Sequence, residues 1–309
     1  MIRKKYVTAI FGSTGHIAKN LIYYFEKEKN VKLILFSRNK TKLLRVMKNE
    51  LKIKNFIFKK YSDFSKYDYN VIINCVGNDD KKGISAPNTI KISERYDKKI
   101  IDYLQSHKAT LFINFSSGAV YGEAFQHPAN GKKTSQLDIN RFSKRNHYSI
   151  SKIILEKKHR DLNNLKIVDL RIFGFFSRFI DINDRFILSA IVKAIKNDKG
   201  MITDQHNFVR DYVDPTDLFS IIKLCMKQSF INDVFDVYSK RPITKLNMLK
   251  FLKKEFGLKY KTKNTDKKLS STGIKLNYYS VSRRLSKLGY KPQNSSLETI
   301  LNEMKFIFK

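Results

Sequence analysis

Apolar residues fall in short runs, and two kinds of segment alternate through the first half of the chain. Val7 to Phe11, Leu33 to Phe36, Phe56 to Phe58, Val71 to Val76, Leu111 to Phe115 and Ile167 to Phe173 are brief and rich in β-branched and aromatic residues, as strands buried on both faces are. Between them, His16 to Lys29, Thr41 to Leu51, Ser93 to His107 and Tyr148 to Arg160 read as helices; Ile100, Ile101 and Leu104 share one face of the third. This alternation predicts an α/β, doubly wound fold, a parallel sheet with helices on both faces. From Ser177 onward the rhythm is lost and the chain becomes more polar, with a Lys/Ser/Thr-rich stretch from Lys259 to Thr272. A second, smaller lobe is expected there, with a boundary near Gly174.

Composition narrows the class. With 309 residues and 42% apolar content the chain can bury a substantial core. No apolar run is long enough to span a bilayer, and no cleavage pattern follows Tyr6 to Phe11, so the expectation is a soluble, cytoplasmic protein with no membrane partner. The two cysteines, Cys75 and Cys225, each sit in an apolar run and read as buried free thiols, with no disulfide framework or metal site. The charge is unusual: 61 Lys+Arg against 28 Asp+Glu, a formal +33. The lysines are spread along the whole chain, alongside abundant Asn, Ile, Tyr and Phe, which fits codon bias better than a nucleic-acid footprint. A field of this sign still favours an anionic substrate.

Three phrases carry chemistry. Phe11-Gly12-Ser13-Thr14-Gly15-His16-Ile17-Ala18 follows a strand and opens a helix; glycines there permit a tight turn and close approach of a pyrophosphate to the helix N-terminus. At the end of the second strand, Ser37-Arg38 stands where an acidic residue would bind the ribose 2′-hydroxyl of NAD; a hydroxyl and a guanidinium suit the 2′-phosphate of NADP(H) instead. Tyr148 and Lys152 share a helix face, and an ammonium beside a phenol favours the phenolate needed for acid/base work. Tyr23 and Lys27 have the same spacing inside the first helix, where a surface pair is the natural explanation. Ser117 lies at the carboxyl edge of the predicted sheet, placed to hydrogen-bond a reacting oxygen.

Together Ser117, Tyr148 and Lys152 resemble the triad of the short-chain dehydrogenase/reductase superfamily. Ser116-Ser117-Gly118-Ala119-Val120-Tyr121-Gly122 resembles its extended branch, the NAD-dependent epimerase/dehydratase family. The resemblance continues through Leu170-Arg171-Ile172-Phe173-Gly174, Arg210-Asp211-Tyr212-Val213 and Leu288-Gly289-Tyr290-Lys291-Pro292, and so covers nearly the whole chain. Ala18 in place of a third glycine is a mild departure; the long Lys/Asn-rich connection from Gly122 to Tyr148 is another. The resemblance implies a Rossmann domain over residues 1–174, to which a strand near 233–239 returns, and a mainly substrate-binding lobe over 175–309. It implies an NADP(H) site made by Gly12, Ser13, Thr14, Gly15, His16, Ile17, Ser37, Arg38, Asp63, Val76, Gly77, Tyr148 and Lys152. It further implies catalysis by Ser117, Tyr148 and Lys152, a nucleotide-sugar substrate held by Ser117 and Arg210, and a homodimer formed through the helices at 93–107 and 148–160.

The family's 4,6-dehydratases have an Asp-Glu pair after the catalytic hydroxyl, where this chain has Gly118 and Ala119. The GDP-fucose-synthase type adds a cysteine there and a later histidine, neither of which is evident. Ser37-Arg38 then favours an NADPH-dependent reductase of a nucleotide-linked 4-keto-6-deoxy sugar. A nucleotide-sugar 4-epimerase with bound NAD(P) is the alternative, and a non-catalytic NADP- or RNA-binding relative is a second.

Overall fold

The computed structural model describes residues 6–77, 86–122, 125–131, 147–184, 186–264 and 275–309. Most of the Gly122–Tyr148 connection and residues 265–272 of the Lys/Ser/Thr-rich stretch lie outside the described residues. The element order is β1 (Tyr6–Phe11), α1 (His16–Phe25), β2 (Val31–Phe36), α2 (Lys40–Arg45), β3 (Ile57–Lys59), β4 (Val71–Asn74), α3 (Ala86–Ser106), β5 (Leu111–Ser117), α4 (His147–Asp161) and β6 (Ile167–Ile172). Then follow α5 (Ile187–Lys196), β7 (Met201–Asp204), β8 (Val209–Arg210), α6 (Pro215–Met226), β9 (Asn232–Asp236), β10 (Ile243–Thr244), α7 (Lys245–Phe256), β11 (Tyr260–Lys263), β12 (Asn277–Tyr278) and α8 (Ser296–Ile307).

Seven strands form one sheet in the order β3-β2-β1-β4-β5-β6-β9, with parallel pairing throughout. Period-two alternation sends Ile10, Leu33, Leu35, Val71 and Ile73 to one face and Ala9, Phe11, Ile34, Phe36 and Ile72 to the other. Both faces are buried, which is why the strands read as nearly unbroken apolar runs. The chain beyond Gly174 builds its own core from Leu188, Ile191, Leu249, Leu252, Ile300 and Met304, on α5, α7 and α8, and β9 rejoins the main sheet beside β6.

Several boundaries differ from the sequence pattern. The first helix ends at Phe25 rather than Lys29, because Glu26 to Lys29 offer no apolar side chain to bury and the backbone folds back through Val31 N–H to the Glu28 carbonyl. Helix α3 begins at Ala86, ahead of Ser93. Strand β5 runs on through Ser117, which places that hydroxyl on the sheet itself. The returning strand is Asn232–Asp236.

One layer beneath the sheet is polar. Asn74, Asn114 and Asp169 occupy facing positions on β4, β5 and β6. Asn74 Nδ2 donates to Asn114 Oδ1 at 3.3 Å, and Asn114 Nδ2 donates to Asp169 Oδ1 at 2.8 Å. His159 of α4 lies between Asp169 (2.9 Å from Nδ1) and Asp97 of α3 (2.6 Å from Nε2), and all three side chains are fully buried. Lys158 and Arg160 supply further cations, to Asp97 and Asp169 respectively. Charges out of water persist only when paired in this way.

Candidate active site

The parallel sheet reverses its strand order between β1 and β4, and in open α/β sheets ligands bind beyond the carboxyl ends of the strands at such a point. The Gly12–Ile17 turn lies there. Gly12 has φ +69°, and a Cβ on it would come within 2.8 Å of the Cys75 carbonyl oxygen, so the turn demands glycine. Gly15 precedes α1, whose first turn carries no acid and no side-chain cap among the described residues. A helix N-terminus of this kind suits a pyrophosphate. Gly77, three residues beyond β4, faces open space, with nothing within 4 Å of a would-be Cβ. These features fit a dinucleotide.

The predicted cofactor residues are placed unevenly. Ser13 turns inward, its hydroxyl donating to the Ile10 and Phe36 carbonyls and its N–H to Phe36. Thr14 is half-buried on the turn, and Ile17 packs against the core. His16 Nε2 lies 2.7 Å from Ser177 Oγ. The Ser37 hydroxyl is occupied with Asn39, whose backbone N–H and carbonyl it meets at 3.3 and 3.2 Å. Arg38 is exposed beyond it, close enough for its charge to act on Tyr61. Asp63 pairs with Lys66 at 2.8 Å, and that hydrogen bond holds its carboxyl below the usual range. The Val76 N–H donates to Asn74 Oδ1 at 3.0 Å. The sequence reading missed Tyr61, whose hydroxyl accepts from Gly12 N–H at 3.0 Å and donates to the Phe36 carbonyl at 3.2 Å, tying the turn to the end of β2.

Ser117 ends β5, and Lys152 of α4 reaches the same strand two residues earlier. Lys152 is buried, and its ammonium donates to the Phe115 carbonyl at 2.8 Å while lying 5.8 Å from the centre of the Tyr148 ring. Ser117 Oγ accepts from Ala119 N–H at 3.2 Å and lies 3.1 Å from the hydroxyl of Tyr278, a second residue the sequence reading missed. Tyr278 comes from β12, far along the chain, where no local pattern marks it. A Cβ at Gly118 would lie 2.4 Å from the Phe173 ring, and Phe173 is itself packed against Tyr121, Phe125 and Tyr278. The place at which an acid would follow the serine is therefore filled by an aromatic ring.

Nearby, Arg171 of β6 holds Glu156 of α4 at 2.6 Å, and its other arm meets the Tyr121 hydroxyl, which donates to Asp236 of β9 at 2.8 Å. Ser280 closes the cluster by donating to Asp236 at 2.6 Å. Glu156 lies one turn beyond Lys152 on α4, so this cluster fixes the helix that carries Tyr148 and Lys152. Arg210 pairs with Tyr278 across the β8–β12 ladder; its NH1 donates to the Val209 and Lys275 carbonyls, and its guanidinium stacks 4.1 Å from the Phe208 ring. Asp211 is buried, accepting from Ser239 N–H and the Ser296 hydroxyl, and burial pushes its carboxyl up. It anchors the lobe rather than facing a substrate. Burial likewise raises both thiols, Cys75 and Cys225, away from reactivity. Among the described residues no cluster of ligands could hold a metal ion, and no helix is long and apolar enough to cross a membrane.

Comparison with known proteins places this geometry. The profile of the NAD dependent epimerase/dehydratase family matches residues 8–238. No curated protein matches significantly in sequence. Among solved structures, UDP-glucuronic acid 4-epimerase from Bacillus cereus, in complex with UDP-glucuronic acid and NAD, is similar with a TM-score of 0.78 at 17% identity, over 98% of this chain and 99% of that one. ADP-L-glycero-D-manno-heptose-6-epimerase from Helicobacter pylori gives 0.77 at 16% identity, over 99% and 97%. The dTDP-glucose 4,6-dehydratase of Bacillus anthracis str. Ames, in complex with NAD, gives 0.75 at 14% identity, over 97% and 96%. At these identities the likeness shows a shared fold.

Proposed function

The chain belongs to the NAD dependent epimerase/dehydratase family, and from that premise we propose that it is a nucleotide-sugar epimerase, inverting a carbinol carbon by oxidation and re-reduction. The observation that carries this reading is the Ser117–Tyr148–Lys152 group beside an acid-free turn at Gly118 and Ala119. Dehydration needs a further acid and base next to the sugar, and the Phe173 ring occupies the first of those places. The epimerase relatives among the solved structures add weight to this reading over the reductase expected from sequence.

A nicotinamide dinucleotide, held by the Gly12–Ile17 turn and the ends of β2 and β4, supplies the hydride acceptor and donor. The protein does the rest. Tyr148 takes the proton of the sugar hydroxyl and later returns it. Lys152 places its ammonium beside the Tyr148 ring, 5.8 Å from its centre. Ser117 hydrogen-bonds the sugar oxygen as it becomes a carbonyl. Arg210 offers its guanidinium edge to the diphosphate.

A second reading, the NADPH-dependent 4-ketoreductase, is favoured by exposed Arg38 following Ser37. The test is to incubate the protein with UDP-, dTDP-, GDP-, CDP- and ADP-sugars. Interconversion of two epimers without added reductant supports the epimerase. Stoichiometric NADPH consumption on 4-keto sugars replaces it with the reductase. Salt-sensitive RNA binding, with no turnover and no binding of the free nucleoside diphosphates, removes both.

A further inference from the structure

We propose that Tyr278 is a positioning residue that directs the hydroxyl proton of Ser117 toward the reacting sugar oxygen. The inference rests on the epimerase reading above and deepens it.

A serine hydroxyl has two lone pairs and one proton. The Ala119 N–H takes one lone pair of Ser117, at 3.2 Å. The Tyr278 oxygen lies 3.1 Å away, and geometry alone allows either hydroxyl to donate. The chemistry of the two hydroxyls favours one direction. A phenol is more acidic than an alkyl hydroxyl, so it is the stronger hydrogen-bond donor and the weaker acceptor of the pair, and burial keeps its proton in place. With Tyr278 donating to Ser117, both serine lone pairs are filled, and the only capacity left to Ser117 is to donate.

The phenol is also held still. The Tyr278 ring is packed between Phe125 and Phe173, at centroid distances of 4.7 and 5.3 Å. The ammonium of Lys275 lies 4.6 Å from its centroid, and the Arg210 guanidinium 5.7 Å. Its backbone pairs with Arg210 across the β8–β12 ladder. The chemical consequence is specific. When the sugar hydroxyl loses its proton, Ser117 cannot accept it, so the proton passes to Tyr148. When the carbon becomes a carbonyl, Ser117 already points a hydrogen-bond donor at its oxygen.

Tyr278→Phe keeps the ring and removes the hydroxyl. We expect kcat to fall by about tenfold, less than for outright loss of an oxyanion donor, with KM for the nucleotide sugar and the Kd of the dinucleotide little changed. Because the hydroxyl acts through Ser117, the same substitution in a Ser117→Ala background should cost almost nothing further. A loss that persists undiminished in that background, or no loss in either, overturns the proposal. A measurement independent of turnover separates this outcome from failure of the functional reading. In protein labelled with [13Cζ]tyrosine, the Tyr278 resonance, assigned by its disappearance in Tyr278→Phe, should not titrate at neutral pH and should move on Ser117→Ala. An unmoved resonance overturns the proposal whatever the activity. A wild-type protein inert toward every nucleotide sugar would instead remove the enzymatic reading.

Discussion

His159 should make the stability of this protein fall as the solution becomes alkaline. Burial by itself would lower the pKa of an imidazole, but the charge of Asp169 and the hydrogen bonds to Asp169 and Asp97 outweigh it and push the group up to about 9. Arg160 and Lys158, on the same helix, also pair with those carboxylates, Arg160 with Asp169 and Lys158 with Asp97, and Asn114 of β5 donates to Asp169. A group whose folded pKa is raised contributes its stability in full below its unfolded pKa and loses it as pH rises through the folded one. For a rise from 6.5 to about 9 the contribution is about 3 kcal/mol, at ~1.4 kcal/mol per pH decade. It is complete below about pH 6.5 and gone above about pH 9. Urea unfolding across this range should show the wild type losing about 3 kcal/mol more than His159→Gln, which has no proton to lose. The variant should also start lower by about 3–5 kcal/mol at pH 6, because two buried carboxylates lose their shared cation. Parallel pH profiles for the two proteins would refute the imidazolium assignment.

Four further expectations follow from named contacts. Arg38→Ala should weaken NADP(H) binding by about 10- to 100-fold, as loss of a charge-assisted phosphate contact does, and NAD(H) binding far less; equal losses in a fluorescence titration would remove the basis for NADP(H). Tyr148→Phe should cut turnover by about 10²- to 10⁴-fold with cofactor affinity retained, whereas Tyr23→Phe should leave turnover unchanged; initial rates with both variants decide this, and an active Tyr148→Phe enzyme would overturn the site. Arg210→Ala should raise the nucleotide-sugar KM by about tenfold or more while kcat changes less, since a contact to the diphosphate contributes mainly uniform binding; a kcat effect larger than the KM effect would place Arg210 elsewhere. Gly118→Ala puts a methyl group 2.4 Å from the Phe173 ring and should cost about 1–3 kcal/mol as overpacking; an unchanged Tm would show that the ring moves freely.

How much of this was legible in the sequence depends on how far apart the partners lie along the chain. The strands of the main sheet announce themselves, because burial on both faces leaves runs such as Leu33 to Phe36 with hardly a polar residue. The glycine turn is legible for the same local reason: strand, Gly12, Gly15 and helix follow one another within a few positions. Spacing on one helix is a weaker guide. Lys27 lies 3.9 Å from the Tyr23 ring centre and Lys152 5.8 Å from that of Tyr148, so the closer cation belongs to the surface pair. What sets Tyr148 and Lys152 apart is that their helix lies against the end of β5, where Lys152 reaches the Phe115 carbonyl. The partners that orient the site are more distant still. Tyr61 meets Gly12 across 49 positions, His159 meets Asp97 across 62, and Tyr278 meets Ser117 across 161. No periodicity links such residues, since each contact exists only after strands and lobes have packed. Helix α4 does carry a trace of them. Its buried face holds Ser149, Ser151, Lys152, Glu156 and His159 where a helix on a sheet ordinarily presents apolar side chains. A helix that buries polar groups must meet fixed polar partners, so a polar inward face on a helix already bearing a Tyr-Lys pair is the sequence-level sign that the pair is held from behind.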